Sequence, residues 1–179
     1  MGNGISPSKR VTALLSNSPE FDSACDSGYS HCISLTQHAF PGVFPYQLAT
    51  ASDHLHRTLS TLRPHPLIMK WVPSPPSRAQ VDSALRAVTH RWPNREDLTA
   101  QHESLIGPPQ FKEWAIELFT DAVVSNAGKA VLCRVPIGIV GIAGIGAVTR
   151  SGKDLIGTAI GVYALGIATS VYLSCTGPR

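Results

Sequence analysis

Gly2 and Ser6 stand at the most specific chemical spacing in this 179-residue chain. Met1-Gly2-Asn3-Gly4-Ile5-Ser6 fits the pattern M-G-x-x-x-[ST]. In that pattern, loss of Met1 frees an unhindered glycine amine for myristoylation, and a hydroxyl at position 6 completes recognition. Lys9 and Arg10 follow and add attraction to acidic lipids. One myristoyl chain holds a protein to a bilayer only marginally, so stable attachment needs a second signal. Cys133 and Cys175 border apolar runs, where reversible S-acylation is an option.

The remaining reactive side chains do not assemble into a site. Cys25, His31, Cys32 and His38 form C-x5-H-C-x5-H, which matches neither the C-x2–4-C nor the H-x3–5-H spacing of structural zinc. Cys25 and Cys32 fall on an apolar helical stripe and read as core residues with histidines beside them. Asp53, His54 and His56 include an i, i+2 histidine pair that diverges on a helix, so they read as solvated surface. No G-x-S-x-G, HExxH, Walker A or GxGxxG element occurs, so no catalytic residue, metal or cofactor is expected. Ser18-Pro19 and Ser74-Pro75 are candidate phosphorylation sites, the first at a helix N-terminus that favours negative charge. Pro73-Ser74-Pro75-Pro76 could meet a groove that reads polyproline, although a rigid interhelix linker explains it better.

These residues are positioned by an all-α body. Residues 1–17 read as a flexible leader with at most a short turn at Val11–Leu15. Ser18-Pro19-Glu20 predicts a helix start, with Ser as cap and Pro in the first turn. Phe21, Cys25, Gly28, Cys32, Leu35 and Ala39 then share one face, and Phe40-Pro41-Gly42 stops the helix. Leu48, Ala51, Leu55, Leu59 and Leu62 make a second stripe that ends before Pro64. Five prolines in residues 63–77 predict an extended linker packed through Leu67, Ile68, Trp71 and Val72. Ser77 and Gln80 resemble a capping box ahead of a third stripe, Val81, Ala84, Leu85, Val88 and Trp92. A short helix is expected at 95–105. A fourth main helix uses Phe111, Trp114, Ala115, Leu118, Phe119 and Ala122 and ends near Asn126–Gly128. The domain over residues 18–128 is therefore a bundle of about four helices.

Residues 129–179 differ in kind. They hold nine of the fifteen glycines and carry five Lys/Arg against one acid, whereas residues 1–128 carry ten against eleven. Residues 155–175 contain no charge over 21 positions, long enough as a helix to cross a bilayer. Gly157 and Gly161 form a GxxxG element, and Ala164 and Ala168 extend a small-residue packing face. Residues 135–149 give only 15 uncharged positions between Arg134 and Arg150. Either the second run spans alone as a tail anchor, keeping Arg150 and Lys153 cytosolic, or both runs insert as a hairpin. The glycines of the first run favour the hairpin.

The expected fold is thus a cytosolic helical bundle followed by a glycine-rich transmembrane helix or helical hairpin. The expected function is a non-enzymatic membrane adaptor, attached by acylation of Gly2 and by the tail. The competing expectation is a small oligomerising component that remodels or permeates the membrane through its glycine-rich helices. The lipid bilayer is the expected partner, with a protein partner on the bundle or Pro73–Pro76 and self-association through the tail. Basic residues are not clustered or interleaved with aromatics, which argues against nucleic acid. The first twenty residues lack an apolar signal core, so a reducing, cytosolic environment is expected for the body, on a plasma, endomembrane or organelle outer membrane.

Overall fold

The computed structural model describes residues 6–92, 105–149 and 153–175, with side chains for 6–92, 105–131, Thr158 and 160–173. The fold is all-α, with seven helices among the described residues. The expected helix at 95–105 falls almost wholly outside them.

Helix α1 spans Pro7–Ser16, with Pro7 in the first turn, where a missing N–H costs nothing. Val11 and Leu15, one turn apart, are fully buried. The expected flexible leader therefore contains a helix, docked by an apolar edge too short to read as a periodic stripe. Helix α2 spans Pro19–Leu35, and the Ser18 hydroxyl accepts the Phe21 N–H at 3.2 Å, as the cap signal predicts. Phe21, Cys25, Gly28 and Cys32 are buried. A Cβ on Gly28 would approach the Leu55 side chain to 3.2 Å, so glycine permits the close approach of the next helix. Helix α2 stops at Leu35, well before Phe40. Gln37 and His38 turn the backbone left-handed (φ 51° and 59°), and the His38 N–H donates to the Ile33 carbonyl at 3.1 Å.

Helix α3 spans Leu48–Arg57 and runs into a π-helical turn at Thr58–Leu62. Leu48, Ala51, Leu55 and Leu59 are buried as their stripe predicts, but the wider turn rotates Leu62 into solvent. The proline-rich stretch is not wholly extended. Helix α4, Pro66–Trp71, fits between its prolines because Pro66 takes the first helical position and the next five residues contain none. Leu67, Ile68, Trp71 and Val72 are buried, as expected. Helix α5 spans Arg78–Thr89 and begins with the anticipated capping box. The Ser77 N–H donates to Gln80 Oε1 at 2.9 Å and the Gln80 N–H to Ser77 Oγ at 3.4 Å.

Helix α6, Pro108–Thr149, organises the molecule. At 42 residues it is about 63 Å long. Its Phe111, Trp114, Ala115, Leu118, Phe119 and Ala122 form the centre of the core. Phe21 packs edge-on to Phe119 at 6.0 Å and Tyr29 to Phe111 at 5.6 Å. Polar ties pin the other helices to α6. Thr12 meets Thr120 at 3.3 Å, Lys112 pairs with Asp22 at 2.7 Å, Asn126 donates to the Trp71 carbonyl at 2.8 Å, and Trp92 Nε1 donates to Glu113 at 3.0 Å. Helix α6 does not end at Gly128. That glycine is exposed with open space around a Cβ, and a helical glycine costs about 1 kcal/mol without ending a helix. The first apolar run is therefore the distal part of the body's central helix.

Helix α7, Lys153–Cys175, folds back antiparallel along α6 after a short connection. Its inward seam is Ile160, Ala164, Ile167 and Val171, spaced by three and four residues. Val171 lies in the main core cluster, with Ile167 packed against it. Among the described residues no helix is long and apolar enough to cross a membrane. The expected transmembrane helix at 155–175, alone or with 135–149, is therefore not supported. The inward seam of the run is instead used for contacts within the chain.

Candidate functional site

A groove of about 1100 Å³ opens where α7 passes α1 and the start of α4. Local structure explains each wall. The π-helical turn lets the Arg63 N–H reach the Thr58 carbonyl (2.8 Å) and the His65 N–H the Leu59 carbonyl (2.9 Å). This turns Pro64-His65-Pro66 towards α1, across a recess that both line. On the opposite side, turning the α7 seam towards α6 leaves the next rows of α7 facing outward over the groove. Val162, Leu165 and Leu173 are 67%, 69% and 59% exposed, and Leu14 completes the apolar lining from α1. Gly166 gives α7 a low profile there, with nothing within 4 Å of the place a Cβ would occupy.

The polar fringe consists of Thr169, Ser170, His65 and Lys70. His65 is only 7% exposed, and its Nδ1 has no hydrogen-bond partner. Burial holds the imidazole below its ordinary pKa, opposed in part by the nearby Glu20 carboxylate. Lys70 stays in solvent with its ammonium 5.4 Å from the Trp71 ring. A smaller recess of about 740 Å³ shares Leu14, His65 and Pro66 with the groove and adds Arg10, Asn17 and Glu20. The Ser18 hydroxyl donates to Glu20 at 2.7 Å and lowers that carboxyl's pKa. Sequence patterns do not reveal this site. Leu14 has no periodic partner, and His65 and Lys70 sit in a stretch whose prolines point to a linker.

The residues singled out by sequence lie around the groove or away from it. Gly2 lies outside the described residues, and Ser6 is exposed immediately before α1. Arg10 stacks over Tyr172 of α7 at 5.1 Å, which brings the first helix to the last. Gly161 is exposed with open space around a Cβ, and Ala168 is exposed, so that face does not pack on α6. Ala164 does lie in the seam. Gly157 is helical and Cys175 is the last residue of α7, while Cys133 lies within α6. The surroundings of these three fall outside the described side chains. Ser18 is a buried cap, whereas Ser74 is exposed in a bend between exposed Pro73 and Pro75. Pro76 is buried.

The cysteines and histidines of this set lie in different surroundings. Cys25 and Cys32 are buried, and burial pushes their thiols up to about 12 and about 11, which makes them poor nucleophiles. His31 instead stacks on His54 at 4.6 Å, and His54 Nε2 lies 3.1 Å from the Ser27 hydroxyl. Among the described residues no three His, Cys, Asp or Glu side chains converge as a metal site would require. No protein-family model matches this chain, and neither a curated protein nor a solved structure shows significant similarity to it.

Proposed function

We propose that this chain is a non-enzymatic helical adaptor held on a membrane by two attachments, an acyl chain on Gly2 and the outward face of α7. One observation carries this reading. Val162, Leu165 and Leu173 stand 67%, 69% and 59% exposed on a helix whose residues 155–175 include no charge. An apolar row of this kind marks a surface for lipid or partner. Attachment through it needs no crossing, because a helix can lie in the interface with one face among the acyl chains. The net positive charge of residues 129–179 suits acidic headgroups. The acylation site belongs to the same region. Gly2 is tethered four residues before Ser6, within about 14 Å of the residue that precedes α1. Helix α1 in turn meets α7 at Arg10 and Tyr172. The rest of the bundle, with exposed Pro73-Ser74-Pro75, remains available to a protein partner.

Vesicle flotation of acylated full-length protein tests this. Gly2→Ala and the paired Val162→Glu, Leu165→Glu each remove one attachment, and each should lower binding roughly a hundredfold. The paired variant touches only exposed side chains, so its helicity should match wild type. Unchanged flotation of that variant would sink the reading.

A second reading is self-association of α7, in the manner of an oligomerising membrane component. It is favoured by Gly161, where open space lets a second helix approach closely. Gly161→Leu should then abolish crosslinked dimers on vesicles, and dimers that persist exclude this face.

A further inference from the structure

We infer that the groove between α1, α4 and α7 is the seat of the chain's own N-terminal acyl group, which occupies it away from membranes and leaves it on binding one. This rests on the reading that Gly2 is acylated. Four observations point to this occupant. The groove wall is apolar where a hydrocarbon chain would lie, at Leu14, Val162, Leu165 and Leu173. Its size, about 1100 Å³, lies just above the roughly 300–1,000 Å³ of small-molecule pockets and leaves room for a chain that fills one leaflet.

Reach is the third. Leu14 lies on the same short helix whose N-terminal end is tethered to Gly2. A tether of about 14 Å, with an acyl chain about half the roughly 30 Å hydrocarbon thickness, covers that distance. The fourth is exposure. Val162 and Leu165 are among the most exposed large apolar residues described, while the seam beside them is used against α6. His65 adds an under-used polar group at the groove edge, with a buried Nδ1 that has no partner. An amide or a water accompanying the acyl linkage supplies the polar chemistry that this edge lacks.

The occupant also accounts for the two halves of the proposed attachment acting together. An acyl chain in the groove covers the same α7 row that would face lipid. Its departure therefore exposes a second apolar surface at the moment the first attachment forms. Free acylated protein is soluble by this arrangement, and binding to a bilayer is cooperative in acyl chain and helix.

Gly166 offers a clean test. A tryptophan there meets no neighbouring atom at its Cβ, yet projects its ring into the groove. Full-length protein is acylated by an N-myristoyltransferase with ¹³C-labelled myristoyl-CoA, and incorporation is read by intact mass. Without lipid, the terminal acyl methyl should show NOEs to methyls of Leu14, Leu165 or Leu173. Gly166→Trp should remove those NOEs, leave helicity unchanged, and raise the fraction bound to phosphatidylcholine vesicles with a minor share of phosphatidylserine several-fold. Failure to incorporate myristate overturns both the attachment reading and this one. Incorporation with no such NOE in wild type overturns the groove alone and leaves attachment standing. NOEs found only between differently labelled copies would assign the seat to a second molecule and overturn the intramolecular one.

Discussion

His65 is held where an imidazolium is costly. It occupies the N-cap position of α4 without a side-chain capping bond, is buried beside the groove and has one ring nitrogen without a partner. Burial lowers its pKa in the folded state, and the Glu20 carboxylate only partly offsets this. His54 shifts the same way, first through burial and then through the charges of His31 and Arg57. The unfolded chain therefore takes up protons at a higher pH than the folded one. Stability should be complete above the ordinary histidine value of 6.5 and fall as pH drops below it. Thermal melts between neutral and mildly acidic pH read this directly. His65→Leu should flatten part of the fall, and His54→Leu another part. A His65→Leu melt that declines with pH as steeply as wild type would mean that the imidazole is not the group being protonated.

Helices divide by how much of their placement depends on partners far along the chain. The starts of α2 and α5 are legible in sequence, because Ser18-Pro19 and the Ser77–Gln80 pair act within one turn. The core faces of α3 and α6 are legible too, since Leu48 to Leu59 and Phe111 to Ala122 repeat at helical spacing. Three things are not legible. Helix α1 is fixed by two buried residues, a threonine contact 108 positions away and the stacking of Arg10 on Tyr172. Helix α4 depends on Pro66 falling at a first turn, which proline counting obscures. The course of α7 is decided by what α6 offers it, so an uncharged run that reads as a span in isolation becomes one half of a packed hairpin. The candidate groove is hidden for the same reason, being built from three elements that each look unremarkable alone. A pair of substitutions tests the α7 assignment. Val171→Asp buries a charge in the core and should cost at least about 3 kcal/mol, whereas Leu173→Asp, two residues on and exposed, should cost less than about 1 kcal/mol. Equal tolerance of both by chemical denaturation would mean that α7 does not dock through this seam.

At the scale of the molecule, the proposed membrane attachment raises the question of how a body with an apolar hairpin would meet a bilayer. Helix α6 is about 63 Å long and α7 about 34 Å, so the hairpin could enter end-on or lie flat. The charge pattern favours lying flat. Lys153 opens α7, while Lys9 is exposed on the helix that meets the other end of α7 through Arg10 and Tyr172. With α7 in the plane of the headgroups, its outward row faces the acyl chains and both lysines sit among acidic phosphates. Each then contributes about 1 kcal/mol on a phosphatidylserine-containing surface, or roughly fivefold in binding. Lys153→Gln and Lys9→Gln should therefore weaken binding to acidic vesicles by similar factors, lose most of that effect in high salt, and matter little on neutral vesicles. End-on entry predicts the opposite sign at one position. The hairpin tip would carry Lys153 towards hydrocarbon, where a charge opposes insertion, and its removal would strengthen binding on vesicles of either composition. Vesicle co-sedimentation of the two variants across salt and lipid charge thus separates the arrangements by the direction of the Lys153 effect alone.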